Sequence, residues 1–587
     1  MKNRAFKGVA VALSAICLLL PACNKEQHEH AYNQKNVAEQ YLKTESTCTA
    51  PAFYYYSCTC GEKGEKTFLH GRGHGHSFTA EIATDEYVIE KGDCVKAGRY
   101  YKSCVYCGQK GYEFTTFQTI VEGAHDFSLE NPQGKYIHTE ATDENSAVYY
   151  KSCKCGKMGT ETFVYGEKLR TYTEDEKLAY TPTSLVVTLY DTATGTYGFT
   201  YNTQNQPLRP VLQIAEGNSL AGAYKEYPAT VEKASTYEKG MTEKIEYYIV
   251  KAEVPMQSGK TYTYRAYDKY VDVGMQETTL QTKDLATDKF SFAHVSDSQM
   301  DGSTGELFGR VLSHVVEDND FILHTGDVVE NSKYESEWTD MLHDNFGYLS
   351  TIPMMAISGN HETTYKNGEN ETYKHFHNKL PMQVSTYLGY FYSFVYGNAK
   401  FIMLNTNDLT GENTLKAEQY DWLVEELQNN TATWTFVSMH NPMYSVGKWG
   451  SNAEQNAISR ALTAQLKGIF ADYGVDVVLQ GHDHTISRTY PINARGVATQ
   501  ETYQMLDGVK YSVDPDGVIY VVNGAAGEQK REPFATYDKS LYYTALGSME
   551  CSWANFEIDG NSLTVTVQYE TGTGVGEYAK WGIQKTA

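Results

Sequence analysis

The sequence predicts a multidomain chain in which an α/β domain follows a β-sandwich and a set of small Cys/His repeats. Three observations carry this. The chain has 587 residues, too many for one hydrophobic core. Cysteine, histidine and aromatic residues recur at fixed spacing in the first 168 residues. From Lys289 onward, apolar strand-like runs alternate with helical patterns and end in Asp, Asn or His.

The bulk numbers are compatible with folded cores: 41% of residues are hydrophobic and 21% charged. The formal net charge of -23 repels polyanions and excludes bulk nucleic acid as a partner. A small phosphorylated substrate stays compatible, because bound metal ions dominate the field locally. No feature identifies a protein partner. Tyr is abundant, at 48 residues against 6 Trp, and composition alone gives no account of that bias.

Residues 1–22 read as a signal peptide. Lys2, Arg4 and Lys7 precede an apolar run from Gly8 to Leu20, too short to cross a bilayer as a mature helix. The run ends in Leu20-Pro21-Ala22-Cys23, which resembles a bacterial lipobox. That resemblance implies cleavage before Cys23, a lipid on its sulfur, and an exported chain tethered to a membrane outside the cytoplasm.

Residues 23–168 hold three repeats. Tyr55-Tyr56-Ser57-Cys58-Thr59-Cys60-Gly61 recurs as Tyr101-Lys102-Ser103-Cys104-Val105-Tyr106-Cys107-Gly108 and as Tyr150-Lys151-Ser152-Cys153-Lys154-Cys155-Gly156. Ahead of each lies His-x-aromatic, at His30, His76 and His125. Eighteen positions after these histidines stand Cys48, Cys94 and Asp143. Each unit thus offers one His and up to three Cys, a donor set suited to tetrahedral zinc, with Asp143 replacing a Cys in the third. Small units with little apolar content need such a staple. A disulfide framework is the alternative, although three cysteines cannot all pair within one unit. The units resemble Cys/His repeats on surface proteins of gut bacteria, which implies a spacer or binding module.

Residues 178–285 change to short alternating runs, such as Ser184–Leu189, Thr196–Tyr201 and Thr261–Ala266, separated by Gly, Asn and Pro clusters. This predicts an antiparallel sandwich. The run Gly259 to Arg265, followed by Leu280-Gln281-Thr282, resembles the fibronectin-III-like N-terminal domain of purple acid phosphatases.

Residues 287–569 form the last predicted domain. Strands at 290–295, 321–323, 353–357, 434–439 and 475–479 end in Ser296-Asp297-Ser298-Gln299, Gly326-Asp327, Gly359-Asn360-His361-Glu362, His440 and Gly481-His482-Asp483-His484. Helical patterns run from Leu415 to Leu427 and from Ile458 to Tyr473, with later strands at Gly517–Val522 and Leu563–Val567. A single polar residue after a strand is an ordinary cap; five such ends in succession, with Gly326, Gly359 and Gly481 placed to sharpen turns, point to ligands gathered at strand C-termini. The ordered set resembles the calcineurin-like metallophosphoesterase superfamily, on its purple acid phosphatase-like branch. The resemblance implies an αββα fold with two sheets face to face. It also implies a pair of divalent or trivalent ions (Fe, Mn or Zn), one held by Asp297, Asp327 and His484 and the other by Asp327, Asn360, His440 and His482. His361 would act on the leaving group or the developing charge.

Two departures stand out. Gln299 replaces the His of most members. Glu330 stands three residues after Asp327, where purple acid phosphatases carry a Tyr. Gln299 then coordinates weakly through its amide oxygen, or Glu330 or water fills the gap, and the protein is not purple. Lys448 reads as a solvated surface lysine. The implied activity is hydrolysis of phosphate esters, phosphomonoesters first. A phosphodiesterase or nucleotidase on the same site, or a non-catalytic surface binding protein, is the alternative.

Overall fold

The computed structural model describes residues 29–586, apart from 83, 91–93, 95–97, 118–124, 301–304, 364–371, 382–389, 452–455, 528–530, 535 and 549. Residues 1–22, read above as a signal peptide, and Cys23 lie outside the described residues. The chain divides into two units, Met1–Ala124 and His125–Ala587.

Each repeat folds as a three-stranded antiparallel sheet, with strands Leu42–Thr44, Ala52–Ser57 and Lys63–His70 in the first, Val88–Glu90, Gly98–Ser103 and Lys110–Phe117 in the second, and Ile137–Thr139, Ala147–Ser152 and Met158–Tyr165 in the third. The paired cysteines sit on the turn between the last two strands. Gly61, Gly108 and Gly156 close that turn with φ of 89°, 73° and 83°, a region that favours glycine. Their carbonyls accept hydrogen bonds from the Tyr41, Tyr87 and Tyr136 hydroxyls at 2.8, 2.7 and 2.9 Å. Tyrosine therefore supplies both the apolar body and the polar tie of each small core, which accounts for part of its abundance here.

The third repeat belongs to the second unit. Arg209 pairs with Glu140 at 2.9 Å, and the Tyr270 hydroxyl accepts the Ala141 N–H at 2.8 Å. Residues 183–281 form two antiparallel sheets, one of four strands and one of five. Their inward residues Leu185, Val187, Phe199 and Tyr264 share one hydrophobic core with Phe290, Met355 and Tyr392 of the following domain. Tyr264 donates to the Ser350 carbonyl at 2.6 Å, and Asn202 to Glu335 at 2.6 Å. The sandwich is thus built into the α/β domain and does not act as a detached spacer.

Five strands carry the site: β1 (Lys289–Val295), β2 (Phe321–His324), β3 (Met354–Ala356), β4 (Trp434–Met439) and β5 (Val477–Gln480). The first three run parallel at one edge of an eight-stranded mixed sheet; β4 and β5 run parallel within a seven-stranded one. Phenylalanines close the space between the sheets: Phe292 meets Phe401 and Phe436 at ring-centroid distances of 5.1 and 5.3 Å. Helices Gly305–Asp318 and Glu335–Asp344 bury Phe308, Val311, Trp338 and Met341 on one outer face. Helices Ala417–Gln428 and Ala457–Asp472 bury Trp422, Leu423, Leu462 and Phe470 on the other. The layers are αββα, and the C-terminal ends of all five strands converge. The eight-stranded sheet continues past residue 569 through a strand at Val575–Gln584.

Candidate active site

The strand ends bring the motif residues into one connected constellation. After β1, Asp297 lies with Oδ1 3.1 Å from His484 Nε2, and it accepts the His482 backbone N–H at 2.9 Å. After β2, Asp327 Oδ2 stands 3.2 Å from His440 Nε2, while its Oδ1 accepts the His361 N–H at 2.9 Å. After β3, Asn360 Oδ1 lies 3.0 Å from the same His440 nitrogen. Donor atoms of Asp327, His440 and His482 all fall within 4.8 Å of one another. His440 Nδ1 donates to the Thr325 carbonyl at 2.8 Å, which leaves Nε2 as its ligating nitrogen.

The backbone at these positions is strained. Asp297, Gln299, Asp327, His482 and His484 have φ of 52°, 43°, 56°, 69° and 41°. Left-handed geometry costs a non-glycine residue on the order of 1–3 kcal/mol, and such strain clusters where a side chain must be aimed. Gly359 is required by proximity: a Cβ there would lie 2.1 Å from Asp327 Oδ1.

Burial and charge act together. Asp297, Asp327, His440 and His484 are buried, whereas Asn360, His361 and His482 reach the solvent side. Burial opposes ionisation of Asp297, but His484 beside it reverses this and holds the carboxyl well below its usual range. Burial would lower His440, yet Asp327 pushes it up to about 9. Desolvation of most of its ring, with His440 beside it, pushes His482 down to about 3.

Gln299 takes a role not evident from its motif position. His361 Nδ1 donates to the Glu330 carbonyl at 2.6 Å, so its Nε2 is free to accept from the Gln299 amide N–H at 2.9 Å. Gln299 Oε1 is then left buried with no hydrogen-bond partner. A buried acceptor in that state calls for a cation or water. This orphan oxygen and the cluster of carboxylate, amide and imidazole donors fit metal ions. The Glu330 carboxylate lies 3.7 Å from His361 Nδ1.

Glu362 was not singled out by sequence. It is fully buried and accepts N–H groups from Asp327, Val328 and Gly359 at 2.9, 2.9 and 2.7 Å. It thereby locks the Gly326-Asp327 loop to the Gly359-Asn360 loop. Burial, then Asp327, pushes its pKa up to about 7. The final Glu of Gly-Asn-His-Glu was its only visible trace. Lys448 is exposed and lies over the Trp449 ring at 4.7 Å.

The repeat residues group differently from the spacing. His30, Cys58 and Cys60 stand together, but Cys48 lies with His76, Cys104 and Cys107 of the following repeat. The physical reason is that the segment at Thr47-Cys48 is bonded to the chain entering His76, through Gly75 N–H to the Cys48 carbonyl at 2.9 Å and His74 N–H to the Thr47 carbonyl at 3.1 Å. In the third repeat Cys155 Sγ lies 3.3 Å from His125 Nδ1, with Cys153 buried nearby. Asp143 is exposed and joins no such group among the described residues. Cys94 is buried. The described cysteines are thiols, with no disulfide among them.

A family model described as calcineurin-like phosphoesterase matches residues 290–485. Human acid phosphatase type 7 is 27% identical over 246 residues, 38% of this chain and 51% of the human protein. Probable inactive purple acid phosphatase 27 of Arabidopsis thaliana is 25% identical over 224 residues, 35% of this chain and 34% of that protein. The chain thus spans about a third to a half of the length of these relatives. The solved purple acid phosphatase PPD1 from yellow lupin seeds shares the fold over 69% of this chain and 74% of its own, with TM-score 0.56 and 17% identity. Residues 290–485 are therefore a calcineurin-like phosphoesterase domain, related to the purple acid phosphatases.

Proposed function

We propose that this chain hydrolyses phosphate esters, phosphomonoesters in the first place, outside the cytoplasm. In this reading two ions, when present, would be held by Asp297, Gln299, Asp327 and His484 and by Asp327, Asn360, His440 and His482. Such ions, when bound, neutralise charge on phosphoryl oxygens and acidify water. The chain's own groups do the rest. Glu362 and Gly359 fix Asp327 between the two donor sets. Asn360 and His482 face the open side, where a phosphoryl group enters. Burial lowers the pKa of His361, but Asp327 and then Glu330 more than offset that and raise it. With Nδ1 tied to the Glu330 carbonyl, Nε2 is the atom that, once protonated and no longer accepting from Gln299, delivers a proton to the leaving oxygen or pairs with its developing charge.

The observation that carries the reading is the intact donor set, with Gln299 Oε1 buried and unsatisfied beside it. One relative is named probable inactive, and a non-catalytic binding protein is the second reading; against it, Asp327, Asn360, His482 and His484 are all retained here, with Gln299 the one exchanged position of the motif. Export rests on the basic and apolar leader and on tethering at Cys23; among the described residues no helix is long and apolar enough to cross a membrane. The substrate class is tested by offering the metal-loaded full chain nitrophenyl phosphate and bis(nitrophenyl) phosphate. A kcat/KM at least tenfold higher on the monoester is the expected result. The reverse ratio moves the assignment to diesters.

A further inference from the structure

Cys48 Sγ lies 3.6 Å from Cys104 Sγ, and Cys107 Sγ lies 3.4 Å from His76 Nδ1. All four donor atoms fall within 4.8 Å of one another. Two thiolates about 2.3 Å from one zinc ion at the tetrahedral angle stand about 3.8 Å apart, and a thiolate and an imidazole nitrogen about 3.6 Å apart. The observed separations fit those values, and a covalent S–S bond of about 2.05 Å does not. Cys104 and Cys107 sit on one tight turn, closed by the Gly108 N–H to the Cys104 carbonyl at 2.8 Å. The Val105 N–H binds the Ser77 carbonyl at 3.0 Å, which fixes His76 against that turn. The fourth donor arrives from the preceding repeat through the Thr47-Cys48 bonds described above.

We propose that the first two repeats are joined by a structural zinc ion held by Cys48 of the first and by His76, Cys104 and Cys107 of the second. His30, Cys58 and Cys60 form a separate set, with Cys60 Sγ 3.5 Å from His30 Nδ1. His30 Nε2 lies 2.9 Å from Glu62, the outer carboxylate partner common to metal-bound imidazoles. Binding at the shared site releases the thiol protons of its three cysteines and needs no oxidant. The consequence is mechanical: zinc converts two small sheets, each too poor in apolar residues to be rigid alone, into one body.

The test is site-resolved alkylation of the full mature chain with iodoacetamide, read by peptide mass spectrometry with zinc present and after chelation. Zinc should slow Cys48, Cys104 and Cys107 together by at least tenfold. In Cys48→Ala, Cys104 and Cys107 lose protection while Cys58 and Cys60 keep theirs. In Cys58→Ala, Cys48 stays protected. Loss of protection at Cys58 and Cys60 in the first variant, or at Cys48 in the second, overturns the proposal in favour of sets within each repeat. Loss at all four remaining cysteines in each variant, or reactivity that zinc does not change, overturns it as well.

Discussion

At Gln299 the amide nitrogen is spent on His361 and the amide oxygen has no protein partner. Replacing it with Ala removes a candidate ligand and a support of the proton donor at once. Gln299→Ala should lower metal affinity or kcat by about 10–100-fold, measured by metal titration and initial rates. His361→Ala should leave metal content unchanged and lower kcat by about 10²–10⁴-fold. The loss should be larger for an alkyl phosphate than for nitrophenyl phosphate, whose leaving group needs less help; equal losses contradict proton donation. His440 gives a pH dependence. Its raised pKa of about 9 means a proton occupies the ligating nitrogen at neutral pH, and a cation must displace it. Affinity of the metal-free chain for its ions should therefore rise by about tenfold per pH unit between 7 and 9 and flatten above. A flat profile across that window contradicts the electrostatics given for His440. These residues were legible in the sequence because each closely follows an apolar run. Glu362 was not, since its partners are backbone N–H groups, which leave no pattern.

The two loops after β2 and β3 behave as one element because Glu362 accepts N–H groups from both. Glu362→Ala strands three buried donors, at a cost on the order of 1–3 kcal/mol each. A fall of about 3 kcal/mol or more in unfolding free energy is expected by denaturant titration, together with reduced metal content. The elements that the sequence singled out in the α/β domain were placed to within about three residues: the predicted helix at 415–427 is observed at Ala417–Gln428, and that at 458–473 at Ala457–Asp472, whereas helices Gly305–Asp318 and Glu335–Asp344 were not singled out. Periodicity reports which face an element buries but not its partner. The same limit hid the pairing of Cys48, because a fixed spacing reads alike whether a ligand closes its own repeat or the next.

At the scale of the molecule, the shared core makes the sandwich and the α/β domain one folding unit. Apolar alternation at Leu185, Val187 and Phe199 showed that these residues are buried, not that they are buried with Phe290 and Met355. A chain beginning at residue 287 exposes that face and should aggregate or melt well below a chain beginning at residue 125. Equal melting temperatures would contradict the shared core. Metal-dependent hydrolysis at this site is decided by turnover of nitrophenyl phosphate by the full chain, stripped of metal, reloaded with manganese, iron or zinc, and compared with Asn360→Ala. The stripped chain should show no turnover, reloading should restore it, and Asn360→Ala should lose it despite an unchanged fold. No turnover with any of the three metals, or turnover that Asn360→Ala retains in full, would contradict metal-dependent hydrolysis at this site.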